Sequence, residues 1–90
     1  MHQRTVAVGS RSGLHARPAS LFVKAATQQP VKVTIGRDGQ SAVDARSLLS
    51  VLALGALHGE SVVLTAEGDG AEAAVEELAT LLLRDLDATP

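Results

Sequence analysis

Two periods of apolar spacing run along this chain. Thr5 to Val8 is short and rich in β-branched residues, and Val31, Val33 and Ile35 alternate with Lys32 and Thr34, the period of a strand with one buried face. Asp38-Gly39 signals a tight hairpin turn, after which Ser41 to Asp44 returns antiparallel, and Ser61-Val62-Val63-Leu64-Thr65-Ala66 supplies a fourth strand. Helical spacing takes over elsewhere. Ala19, Phe22, Val23 and Ala26 recur at i, i+3, i+4 and i+7, with Pro18 suited to the first turn, where a missing N–H costs nothing. The residue before a proline resists helical geometry, which favours a start at Pro18 with His15 just outside it; such boundaries move by a residue or two.

Ser47 to Leu57 reads as a second helix with Ser47 as N-cap, His58-Gly59 as its stop and His58 as a cap compatible with the helix dipole. Asp69 with Glu72 resembles a capping box opening a third, whose Ala71, Ala74, Val75, Leu78, Leu81 and Leu82 keep helical spacing. The order β-α-β-β-α-β-α predicts an α+β fold: an open-faced two-layer sandwich, with a four-stranded, mainly antiparallel sheet, three helices on one face and solvent on the other.

Length and composition narrow the function. Residues 1–90 suit a single domain, and 46% hydrophobic residues suffice for one packed layer, with no room for a cleft between domains. No repeat, linker or low-complexity tract interrupts it, and Asp87 to Pro90 reads as a fraying tail. Eight Lys and Arg against ten Asp and Glu give a net charge of −2, which offers no long-range attraction to nucleic acid or an anionic membrane. Recognition of a phosphate must then be local. The absence of cysteine excludes disulfides and thiolate zinc sites, and histidines at 2, 15 and 58 lack ligand spacing, so neither a metal nor a cofactor is expected, and His2 reads as surface. The start carries no apolar secretion core and no stretch reaches membrane-spanning length, which predicts a cytoplasmic protein.

The chemistry concentrates in Gly13-Leu14-His15-Ala16-Arg17-Pro18-Ala19-Ser20, where a loop becomes a helix. A helix start presents outward-facing amides and the positive end of its macrodipole, a site for an anion such as phosphate. Arg17 adds a permanently charged planar fork that matches phosphoryl oxygens, and His15 is a nucleophile through an unprotonated ring nitrogen. The same field disfavours imidazolium and favours a phosphorylated ring. The expectation is therefore a covalent phosphohistidine at His15, with Arg17 as clamp.

These residues resemble the active-site signature of HPr, the histidine-containing phosphocarrier family of the bacterial phosphoenolpyruvate:sugar phosphotransferase system. Ser47-Leu48-Leu49 followed by Leu54-Gly55 resembles its second, regulatory segment, and the likeness spans nearly the whole chain. The resemblance implies a monomeric shuttle rather than an enzyme with turnover of its own. His15 would take a phosphoryl group from phosphorylated enzyme I on its δ1 nitrogen and pass it to the A component of a sugar permease. It also implies phosphoryl contacts from Arg17 and the main-chain amides of Ala16 and Arg17. Ser12 can add a hydroxyl there, or cap the loop.

Leu48, Leu49 and Leu52 match the family's docking patch, at least one of them serving as ordinary core, and Lys24 and Arg46 join Arg17 as a basic rim, a solvated face accounting equally for Lys24. Ser47 matches a serine phosphorylated in the family by a dedicated kinase. A phosphate there would add roughly two negative charges to the docking patch and inhibit transfer. A plain N-cap role explains Ser47 as well.

Other readings weigh less. An HPr-like regulatory module, controlling metabolic or transcriptional partners without sugar transport, differs in lacking phosphoryl relay onto a permease A component. Asp44-Ala45-Arg46-Ser47-Leu48 has the wrong spacing for the phosphopantetheine site of an acyl carrier, and those proteins are acidic helical bundles. An RNA-binding sheet needs exposed aromatic rings, and Phe22 is the only aromatic residue.

Overall fold

A computed structural model describes residues 1–86, and the tail expected at Asp87 to Pro90 lies outside the described residues. Its elements are β1 (His2–Ala7), α1 (Ala16–Thr27), β2 (Val33–Arg37), β3 (Val43–Asp44), α2 (Leu48–Ala53), β4 (Ser61–Ala66) and α3 (Ala71–Leu83). The sheet runs β1-β4-β2-β3, and every neighbouring pair is antiparallel. The last strand thus inserts between the first two. On β4, Val62, Leu64 and Ala66 are buried while Ser61 stays exposed. Register aligns Val62 with Val6 of β1 and Leu64 with Ile35 of β2, so one face of three strands feeds a common core.

The helices cover that face. Pro18, Ala19, Phe22 and Ala26 of α1 are buried, as are Ala71, Ala74, Val75, Leu78, Ala79 and Leu82 of α3. Ala79 completes the α3 stripe, and Leu81 is only half-buried at its margin. The buried side chains of sheet and helices join in one cluster, with Leu52 packed partly against it.

Several expected boundaries move. The first strand lies earlier, at His2–Ala7, and the returning strand shrinks to Val43–Asp44. Val31 packs against the core from outside β2. The Asp38-Gly39 turn is present, closed by Gln40 N–H donating to the Arg37 carbonyl at 2.9 Å. The third helix opens without a capping box: Gly70 is its N-cap, at φ 87°, and no side chain caps it.

The second helix ends at Ala53 rather than at Leu57, and Gly55 follows at φ 62°. One long-range and one local side-chain bond claim the backbone a longer helix would use. Arg37 Nη1 donates to the Leu54 carbonyl at 3.3 Å, and the Leu57 N–H donates to Glu60 Oε1 at 2.7 Å, while Arg37 and Glu60 pair at 2.6 Å. His58 accordingly caps nothing. Its Nδ1 lies 3.2 Å from the Ser10 carbonyl oxygen, to which it donates. His2 is half-buried rather than freely exposed, with Nε2 2.9 Å from Glu76 Oε2, and Arg4 pairs with the same carboxylate. Those contacts tie the outer strand to α3 and hold the Glu76 carboxyl below the usual range, the His2 hydrogen bond weighing most.

Candidate functional site

His15 is the N-cap of α1, in an extended conformation at φ −141° and ψ 157°, and its side chain makes no capping hydrogen bond. The imidazole, Ala16 and Arg17 are all exposed. Just before it the chain is pinned. Leu14 is buried and its N–H donates to the Ala56 carbonyl at 2.8 Å, while Gly13, at φ 74°, passes so close that a Cβ would lie 2.5 Å from the same oxygen. Only glycine fits there. His15 is therefore mounted on a fixed stem with its ring in solvent.

Ala16 turns the chain into the helix at φ 47°, a left-handed conformation for a residue with a side chain. The helix thus starts at Ala16, two residues before the start at Pro18 that the pre-proline restriction favours, and His15 is its N-cap rather than a residue outside it. The first-turn amides of α1 belong to Ala16 and Arg17, Pro18 having none, and a helix start directs such amides outward with the positive end of its dipole. Among the described residues no group of three or more His, Cys, Asp or Glu side chains could hold a metal ion.

Ser47 is half-buried at the start of α2 and caps it: its Oγ accepts from the Ser50 N–H at 3.3 Å and donates to Ser50 Oγ at 3.0 Å. Past that cap, Leu49 is 82% exposed and Leu48 39%, whereas Leu52 is half-buried against the core. Of the three leucines two face solvent and one packs inward. Leu57, which the periodicity assigned to a helix, is also exposed, and its Cα lies beside Gly13. Its helical spacing concealed it.

Lys24 is exposed in the last turn of α1. Arg46 is exposed but engaged: Nε and Nη2 donate to Asp44 at 3.1 and 2.9 Å, and its N–H donates to Asp44 Oδ1 at 2.9 Å. Those bonds lower the Asp44 carboxyl from 3.8 to about 2. Much of the positive charge at Arg46 is thereby compensated locally by Asp44.

An open-faced sandwich that mounts an exposed histidine at a helix mouth, beside an arginine and a small apolar patch, has the make-up of a phosphocarrier rather than of an enzyme that encloses its substrate. The comparisons with known proteins agree. The family described as PTS HPr component, phosphorylation site, matches residues 2–83, and the chain belongs to the HPr family of the phosphotransferase system. The phosphocarrier protein HPr of Streptomyces coelicolor is 52% identical over 90 residues, covering 100% of this chain and 97% of that protein. The HPr of Haloferax volcanii is 51% identical over 81 residues, covering 89% of this chain and 91% of that protein. A crystal structure of HPr from Bacillus anthracis superposes with a TM-score of 0.84 at 37% identity, over 90% of this chain and 95% of that one. Among the described residues no helix is long and apolar enough to cross a membrane.

Proposed function

We propose that His15 accepts a phosphoryl group from phosphorylated enzyme I and donates it to the A component of a sugar permease, in the cytoplasm and as a monomer of one domain. The unprotonated Nδ1 attacks phosphorus, a P–N bond forms as the bond to the donor breaks, and the reverse displacement hands the group on. Developing charge on the phosphoryl oxygens would be met by the Arg17 guanidinium and the amides of Ala16 and Arg17 at the start of α1. The observation that carries this reading is the exposure of His15 at the start of α1 with its side chain taking no part in capping.

Leu48, Leu49 and Leu52 form the docking patch, with Lys24 and Arg46 at its rim. A shuttle needs a small interface so that partners leave quickly. Ser47, at the edge of that patch, is the site where a serine kinase would act. Its phosphate would sit at a helix start but repel acidic partner surfaces.

Mixing the protein with enzyme I and phosphoenolpyruvate should load one acid-labile phosphoryl group, seen by intact mass, and His15→Ala should abolish it. Arg17→Ala should slow transfer by about 10²-fold, the scale for losing one preorganised charge-stabilising donor, and leave the melting curve in place. A phosphoryl group retained in His15→Ala overturns the assignment.

A further inference from the structure

Ser10 is buried, at 2% exposure, five residues before the histidine, and its groups are shared between two distant segments. Its hydroxyl donates to the Arg84 carbonyl at 3.4 Å and accepts from the Leu86 N–H at 3.0 Å. Its carbonyl accepts from the Gly13 N–H at 2.9 Å and from His58 Nδ1 at 3.2 Å. The residues on either side grip the same segment. Gly9 N–H donates to the Leu82 carbonyl at 2.8 Å, so closely that a Cβ at Gly9 would lie 2.0 Å from the Leu83 oxygen. Arg11 N–H donates to Asp85 Oδ1 at 3.3 Å, and Arg11 Nε pairs with Asp85 Oδ2 at 2.9 Å.

Three consecutive loop residues are thus bonded to the end of α3 and the stretch that follows it, and the turn from Ser10 to Gly13 leads directly into the stem of His15. We propose that Ser10, bonded to residues 84–86, is a positioning residue for phosphoryl transfer: it fixes the loop that carries the exposed His15 ring at the mouth of α1. The proposal rests on the reading of His15 as the phosphoryl carrier. Neither hydroxyl bond touches the docking leucines, so loosening Ser10 alters the placement of the ring and not the affinity for a partner. Displacement of a reacting group by a fraction of an ångström to an ångström lowers rates by about ten- to a hundredfold.

The test measures transfer from phosphorylated enzyme I at varied carrier concentration for the wild type, Ser10→Ala and Asp85→Ala, with a thermal melt of each. Ser10→Ala is expected to lower kcat about tenfold at unchanged KM, and Asp85→Ala to lower it less, also at unchanged KM. Wild-type kcat in a folded Ser10→Ala, or a rise in KM in place of the fall in kcat, overturns the proposal. If Ser10→Ala fails to melt cooperatively, Asp85→Ala decides: a reduced kcat at constant KM upholds the clasp, and a wild-type kcat removes it. Failure of the wild type itself to accept a phosphoryl group overturns the carrier reading instead, which separates the two.

Discussion

Ala16 holds a left-handed backbone at φ 47°, a conformation that costs a residue with a Cβ roughly 1–2 kcal/mol. Glycine adopts it freely but loses more backbone entropy on folding, about 0.5–1 kcal/mol. The first effect is the larger. Ala16→Gly is therefore expected to raise the unfolding free energy by up to about 1 kcal/mol, measured by urea denaturation, and a loss of that size would sink the strain reading. His15 and Arg17 were legible in the chain because a helix start and its flanking charges are local features. The φ of Ala16 was not, because it follows from Leu14 and Gly13 being held against Ala56, far along the chain.

At the scale of elements, α2 shows how an apolar surface survives beside a core. Six residues make under two turns, so Val51 and Leu52 point inward while Leu48 and Leu49 are left outside. Because Leu49 is so exposed, Leu49→Asp should shift stability by no more than about 0.5 kcal/mol. On the proposed docking role, removing an apolar side chain from a small interface costs about 1–2 kcal/mol of binding, so KM toward enzyme I should rise roughly 5- to 30-fold. Steady-state transfer assays check this, and an unchanged KM would remove Leu49 from the docking surface. The early end of this helix was hidden because Leu54 and Leu57 keep helical spacing, and only Arg37 and Glu60, arriving from β2 and the approach to β4, take over the backbone there. At α3 the left-handed Gly70 displaced the capping box suggested by Asp69 and Glu72.

At the scale of the whole molecule, two carboxylates are held by basic partners, one a near neighbour in the chain and one more than seventy residues away. Asp44, with its carboxyl held at about 2 by Arg46, joins β3 to the approach to α2, and Glu76, held below 4.5 by His2 and Arg4, joins α3 to β1. Each is more acidic folded than unfolded, so its stabilisation is present above the unfolded values of 3.8 and 4.5 and is lost as pH falls through the folded value, which for Asp44 is about 2. Urea midpoints should accordingly decline between about pH 5 and 2. Asp44→Asn should flatten the lower part of that decline, and a slope identical to wild type would contradict the Asp44–Arg46 coupling.

What the chain alone determined is whatever depends on near neighbours: the alternation that makes Val33, Ile35, Val62 and Leu64 face one way, the stripe of α1, and a histidine–arginine pair at a helix mouth. These follow from periods of two and 3.6 residues, and a burial face is implied wherever such a period persists. Only the tertiary structure decided that β4 lies between β1 and β2, that α2 stops at Ala53, that His58 serves the Ser10 carbonyl and that Ser10 binds the segment beyond α3. Most of those choices pair backbone or polar groups far apart in the chain, as Arg37 with the Leu54 carbonyl and Ser10 with Leu86 do. Such pairings have no period, and a buried donor or acceptor takes the partner that the assembled fold brings within reach.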